Sequence, residues 1–478
     1  MIRMNVIPIV DTMPADLLTP LSVYLKLAGE GRCSFLLESV EGGEALARYS
    51  FIGADPHAII AGGRKRVTIT TGTGTTEIQT PLWTYLREHF AGLDAAADPE
   101  LPSFIGGAIG YFGFNCSSWF EPSLLNDDPS KTDAEFMFFR SIVAFDHAKQ
   151  TIKLISLVFE TEPTDPYYDP LGAARARNSE LRNLLENGQI NLPGSAGAED
   201  PCPAMSGWPR EDFEQAVRRV KEYIAAGDCY QAVLSQRFSR KTAASPVAIY
   251  RAVRSLNPSP YMFLLQFPDK AIIGASPEML VRARGTDLEY RPIAGTRPRG
   301  RTQAEDLSLA EEMRADPKET AEHQMLVDLG RNDLGRIAKY GSVRVDRLMS
   351  VEKYSHVQHL VSCLSAQLRP GFDRFDAFAA CFPAGTVSGA PKVRAIEIIK
   401  GLEPSERGVY AGAVGYFDYS GNMDTCIAIR TLVLEDGTAF VQAGAGIVAD
   451  SVPSLEYDET VNKAKAMLRA VDIAEGRP

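Results

Sequence analysis

Residues 291–300, RPIAGTRPRG, put two glycines, a threonine hydroxyl and three arginines into ten positions, yet contain no nucleophilic side chain. Glycine lets a backbone approach a ligand closely, and arginine pairs with carboxylates and phosphates. Such a segment suits an anion. The chain carries a formal net charge of −11 and no block of Lys and Arg, so an anionic ligand has to be held by local arginines, and nucleic acid is excluded as a partner.

Downstream, DPKETAEHQMLVDLGRNDLGR (residues 316–336) has Glu319 and Glu322 at i,i+3, with Leu326 and Leu329 continuing the same helical stripe. Carboxylates that point where apolar side chains point need a cation; a solvated acidic face is the alternative. A second pair, Glu456 and Glu459, stands in SVPSLEYDETVNKA, where a surface i,i+4 pair of Glu459 with Lys463 is the plainer reading. If the two pairs meet in space, their oxygens suit Mg²⁺, which takes one or two carboxylates and keeps the rest of its shell for water and substrate.

Four further stretches carry chemistry. In QAGAGIVADS, Gly444 and Gly446 leave a strand and can bring backbone N–H groups up to an anion, or can simply form a turn. In FPAGTVSGAPKVRAIEII, Thr386 and Ser388 precede a helix whose first turn holds Pro391, either facing a ligand carboxylate or capping the helix. His359 in HVQHLVSCL shares a strand face with Val357 and Val361 and reads as a buried, hydrogen-bonded imidazole. Arg430, inside the apolar strand CIAIRTLVL, needs an acidic partner, and a ligand carboxylate is one such partner.

The 478 residues predict two domains or one large composite one. A glycine-punctuated, β-rich part spans 1–190, a linker 191–205, and a catalytic part 206–478. No run of about 18 apolar residues suggests a membrane span. The N-terminal stretch lacks the pattern of a secretory signal, which predicts a cytoplasmic protein. Seven cysteines without a CxxC pair argue against disulfides and zinc. Helices are expected over 317–339, 391–401 and 457–472 and in REDFEQAVRRVKEYIAAGDC, with strands at CYQAVLSQRF, AIIGASP, HVQHLVSCL, CIAIRTLVL and AFVQAGAGIVA.

Taken in order, GASPE, PIAGTRPRG, AEHQMLVDLGRNDLGR, HLVSCL, FPAGTVSGAPK, YAGAVGYF, IAIRT, GAGIVADSVP and EYDETVNKA resemble the chorismate-utilising enzymes, from about residue 210 to the C-terminus. The resemblance implies an α/β fold of two orthogonally packed antiparallel sheets flanked by helices, into which the N-terminal part folds. It implies Mg²⁺ held by Glu322 and Glu459, with Glu319 and Glu456 behind them. Gly295, Thr296, Tyr410, Arg430, Gly444, Ala445 and Gly446 match chorismate-binding positions, with Thr386 nearby. Glu278 matches the general acid for the departing C4 hydroxyl, and His359 is placed beside the ring for the elimination step.

Family members that attack chorismate with their own lysine carry it where this chain has Ala294, and members that add water carry a lysine base where this chain has Gln231. Ammonia needs no such base. The resemblance therefore implies amination at C2 followed by loss of pyruvate, giving anthranilate. The segment CSFLLESVEGGEALARYSFIGADP (33–56) is similar to the anthranilate-forming branch of the family, in which matching segments line an inhibitory tryptophan pocket; the positions here are Ser39, Pro260, Tyr261 and Met262. No glutaminase is visible, which implies ammonia from a separate glutaminase subunit and a hetero-oligomer. Within the resemblance, formation of aminodeoxychorismate is the nearest alternative, and isochorismate or salicylate formation is disfavoured by Gln231. A catalytically inactive tryptophan-binding regulator is the alternative of another class.

Overall fold

A computed structural model describes residues 4–29, 32–39, 48–95, 98–124, 131–160, 169–190, 192, 203–354 and 357–477. Of the expected 191–205 linker, all but Leu192 and residues 203–205 lies outside the described residues. Two large sheets, one of 13 strands and one of 12, account for the strands. Pairing is antiparallel throughout except where Met4–Pro14 runs parallel to Leu93–Ala95. Among the described residues no helix is long and apolar enough to cross a membrane.

Each sheet is built half by residues before 160 and half by residues after 204. In the larger sheet the seam is Ser34–Glu38 against Tyr261–Gln266, with Glu38 opposite Met262. In the smaller it is Gly107–Phe112 against Ala413–Asp418. The expected 1–190 and 206–478 parts are thus joined through main-chain hydrogen bonds in both sheets.

Aromatic side chains fill the space between the sheets: Phe35 of the larger meets Phe139 of the smaller at 4.7 Å between ring centroids, and Phe51 meets Tyr416 at 6.0 Å. A second core lies on the outer face of the larger sheet, where Ala464, Met467, Ala470 and Val471 of the Pro453–Ala474 helix are buried. A third lies under the Arg210–Ala225 helix, whose Phe213, Val217 and Val220 point inward at the expected spacing.

Local sequence explains the helices that frame the site. Pro317–Gly335 starts at Asp316, whose side chain accepts from the N–H groups of Lys318 (2.9 Å) and Glu319 (3.2 Å), and has Pro in its first turn. The C-terminal helix begins at Pro453 rather than 457, because Pro is preorganised for a helix start, so Glu456 falls in its first turn. Pro391 precedes the Lys392–Leu402 helix as its N-cap, and Ser388 donates its hydroxyl hydrogen to the Ala384 carbonyl at 2.8 Å, a local role.

The largest departure from expectation is CIAIRTLVL. It is two strands, Met423–Ile427 in the smaller sheet and Thr431–Glu435 in the larger, separated by a crossing in which Arg430 adopts φ +48°. A second crossing runs alongside: Lys270–Ser276 belongs to the larger sheet, Met279–Arg284 to the smaller, and Glu278 lies between them. Main-chain bonds tie the crossings together, Ala275 N–H to Arg430 O at 3.1 Å and Ile427 N–H to Glu278 O at 3.0 Å. Alternation cannot reveal this, since both halves have strand-like composition.

Because both seams pair distant halves, full-length protein is expected to unfold in urea in one transition. A fragment of residues 206–478 exposes two unpaired strand edges and half of an aromatic core, and should be aggregated or molten. A soluble fragment with native-like near-ultraviolet dichroism would contradict this.

Candidate functional site

The two crossings put Glu278 and Arg430 into the crevice between the sheets. Glu278 is 6% exposed. Burial pushes its carboxyl up to about 8, opposed by Thr386 and by the Arg430 guanidinium. The Thr386 hydroxyl lies beside that carboxyl but makes no well-formed hydrogen bond among the described residues. Arg430 donates to Asn257 Oδ1 at a long 3.4 Å. Its left-handed backbone is a strained conformation for a non-glycine residue, of the kind that aims a side chain at a site.

On one side stands the RPIAGTRPRG segment. It pairs with the Val357–Gln367 strand, and the register slips between Ala294 and Thr296, making a bulge at Gly295, where φ is +65°. The bulge turns the Gly295 carbonyl toward His359, whose Nδ1 lies 2.9 Å from it and 3.1 Å from Thr296 Oγ1. A carbonyl only accepts, so Nδ1 carries the proton and Nε2 keeps its lone pair in the neutral ring. Burial lowers the His359 pKa, and Arg430 adds to that, so neutrality is favoured. Ala294 brings no nucleophile.

On the other side, Gly444, Ala445 and Gly446 lie in the Thr438–Ile447 strand opposite Ser235, Leu234 and Val233. Ala445 points its side chain into the third core and its backbone at Leu234, since Val233 and Ser235 turn their N–H groups the other way. The N–H groups turned away from the Gln231–Lys241 strand are therefore those of Gly444 and Gly446, and the expected Ala445 position contributes none. A Cβ on Gly444 would sit 2.7 Å from Tyr410 Oη and 2.9 Å from the Leu234 carbonyl; one on Gly446 would sit 2.5 Å from Gln231 Nε2. The glycines thus let the buried Tyr410 and Gln231 reach the strand. Burial raises Tyr410 to about 12, which keeps its hydroxyl a hydrogen-bond donor.

The two acidic pairs come close enough to interact, since Glu322 feels the charges of both Glu319 and Glu459. Glu319 lies next to Gly295, 3.2 Å from where a Cβ would be. Glu322 is exposed as a residue, not packed inward as the stripe suggested. Partial burial of its carboxyl, with the Glu319 and Glu459 charges, raises its pKa. Glu456 is raised by burial and by Glu459, against a hydrogen bond from Ser451. Arg297 pairs with Glu319 at 3.0 Å, and Lys463 with Glu459 at 2.7 Å. Among the described residues no three ligand side chains form a ready-made metal cluster. Glu322 and Glu456, whose carboxyls are raised first by burial and then by neighbouring carboxylates, nevertheless combine with Glu459, shared with Lys463, into an oxygen donor set that fits Mg²⁺, which completes its shell with water and ligand oxygens.

A separate cavity of about 740 Å³ lies at the seam of the larger sheet, and Ser39, Pro260, Tyr261 and Met262 all line it. The Ser34–Glu38 and Tyr261–Gln266 pairing brings these positions together from more than 200 residues apart. Tyr261 donates to Asp424 Oδ1 at 3.0 Å, and Arg282 to Asp424 Oδ2 at 2.8 Å, so the cavity's polar wall joins both sheets.

A family model described as chorismate binding enzyme matches residues 33–469. Anthranilate synthase component 1 of Pseudomonas putida is 47% identical over 98% of this chain and 96% of its own length, and that of Aquifex aeolicus is 46% identical over the same shares. The chain belongs to the anthranilate synthase component 1 family. Among solved structures, anthranilate synthase component I from Streptococcus pneumoniae superposes with a TM-score of 0.77 at 37% identity, covering 95% of this chain and 98% of that one. The menaquinone-specific isochorismate synthase of Escherichia coli superposes at 0.72 with 21% identity over 98% of this chain and 95% of its own, a likeness of fold.

Two contributors to this family member's cleft carry no obvious sequence signal as site residues. Asn257 meets Arg430 only through the crossing. Lys463 reads as the surface partner of Glu459, yet its Nζ also donates to the Gly444 carbonyl at 3.0 Å, linking the acidic helix to the glycine strand. The fixed Leu234 carbonyl cannot give way to a Cβ, whereas the Gln231 amide can swing aside. Gly444→Ala should therefore lose about 1–3 kcal/mol in denaturant unfolding and Gly446→Ala less; equal losses would contradict the crowding argument.

Proposed function

We propose that this chain converts chorismate and ammonia to anthranilate and pyruvate, with ammonia delivered by a separate glutaminase partner. The observation that carries the reading is a carboxyl group buried beside an arginine and kept protonated at neutral pH, facing a segment that presents Ala294 in place of a nucleophile. Arg430, Tyr410, Thr296 and the backbone N–H groups of Gly444 and Gly446 bind and orient the dianionic substrate. Ammonia adds at C2 as the C4 hydroxyl departs, and Glu278 supplies the proton that makes it water. In the elimination that follows, His359 Nε2 takes the C2 proton, the C2–H electrons complete the aromatic ring, the ring C3–O bond breaks, and the departing enolate of pyruvate takes up a proton at carbon. Glu322 and Glu459 would hold Mg²⁺, with Glu319 and Glu456 behind them; when bound, it offsets the charge of a substrate carboxylate. Gln231 and Thr386 complete the walls without acting as bases.

The test is direct. Purified chain with chorismate, Mg²⁺ and ammonium at alkaline pH should generate anthranilate fluorescence, abolished by a chelator; a nonfluorescent amino product would show amination at C4 instead. Because Glu278 acts as an acid, its protonated form is needed. At constant free NH₃, kcat should fall as pH rises through about 8. Glu278→Gln should lose about 10²–10⁴-fold in kcat together with that alkaline limb. An unchanged limb would remove Glu278 from the reaction.

The 740 Å³ cavity supports a further part of the reading, inhibition by tryptophan. Its wall includes Arg282, on the strand that begins next to Glu278, and Asp424, on the strand that ends at the Arg430 crossing. A ligand that shifts these strands shifts the acid and the arginine with them. Ser39→Ala should leave turnover intact and weaken inhibition in a tryptophan titration; unaltered inhibition would move the ligand elsewhere.

A further inference from the structure

Arg407 and Glu403 form an ion pair whose side chains are 2% and 4% exposed. They line a cavity of about 370 Å³ that includes none of the proposed substrate-binding residues. Burying two charges is costly, and such a pair is weak evidence for stability by itself. What distinguishes this one is where its other hydrogen bonds go.

The Arg407 guanidinium donates to Glu403 Oε2 (2.9 Å) and Oε1 (2.6 Å), to the Val387 carbonyl (2.7 Å) and to the Val233 carbonyl (2.6 Å). Glu403 Oε1 also accepts from the backbone N–H and hydroxyl of Ser235, at 2.8 and 2.9 Å. Ser235 in turn accepts from Gln442 Nε2 at 2.9 Å. The guanidinium lies over Phe114 and near the Tyr410 ring, at 4.5 and 5.6 Å, and Tyr410 N–H donates to the Arg407 carbonyl at 3.2 Å. Val387 follows Thr386, Ser235 is the register partner of Gly444, and Val233 that of Gly446. One planar fork therefore sets the spacing of the Thr386 turn, the Tyr410 turn and the glycine strand.

We propose that Arg407 and Glu403 are positioning residues for the reaction proposed above: from behind the crevice they hold the three segments that cradle the substrate, without touching it. The inference rests on that reaction. A lysine keeps the charge but cannot donate to two carbonyls and a carboxylate in one plane. Arg407→Lys should thus fold and lower kcat/KM per folded molecule by about 100-fold, the scale of a displacement of about 1 Å, with KM for chorismate raised as well as kcat lowered. The double variant E403M/R407M removes both charges, so no lone buried charge is left to prevent folding, and should show at least the same loss.

Arg240→Lys supplies the comparison, since Arg240 and Glu475 form an equally buried pair at 2.7 Å remote from the cradle. It should lower thermal stability while leaving kcat/KM per folded molecule unchanged. An active wild type with equally active Arg407→Lys or double variant overturns the inference alone. A wild type that forms no anthranilate overturns the reaction and the inference with it.

Discussion

The structure turns on a constraint of chain path: two strands leave one sheet and enter the other side by side, and at each crossing a charged residue is left in the gap. Glu278 and Arg430 have no alternative place to go, because the main-chain bonds between Ala275 and Arg430 and between Ile427 and Glu278 lock the crossings together. Desolvation holds the Glu278 proton in place for the acid step proposed above. A carboxyl that water cannot reach holds its proton at a pH where surface acids have lost theirs. Everything else in the crevice is arranged around that pair: the Gly295 bulge and His359 on one flank, Tyr410 and the glycine strand on the other, the two acidic helix starts at the mouth.

The same crossings connect the crevice to the seam cavity. Arg282 and Asp424 are buried against one another and reach Tyr261 across the gap between sheets. They lie within a few residues of Glu278 and Arg430 on continuous strands. Under the inhibition proposed above these shared strands carry the signal, since a packed interior transmits small displacements rather than absorbing them.

Much of this was legible in the residues. The amphipathic period of Phe213, Val217 and Val220 predicted its helix, and apolar runs located most of the strands around the crevice. The crossings were not legible: CIAIRTLVL is uniformly strand-like, and nothing local marks Arg430 as a residue with positive φ. The acidic stripe was half legible. Spacing placed Glu319 and Glu322 on one helix face, but whether that face meets Glu456 and Glu459 depends on a helix more than a hundred residues away. Nothing in the sequence sets Arg407 and Glu403 apart, and only tertiary packing makes them an interior fork.

The position of the Thr438–Ile447 strand has a consequence for how the protein comes into being. It slots between Gln231–Lys241 and Thr431–Glu435, in the interior of the larger sheet. A growing chain on the ribosome can form hairpins early, but that sheet stays open until residue 447 has emerged. Non-local pairing of this kind slows folding and leaves sticky intermediates exposed during synthesis. The nascent chain therefore keeps an open edge in its larger sheet until residue 447 has been translated.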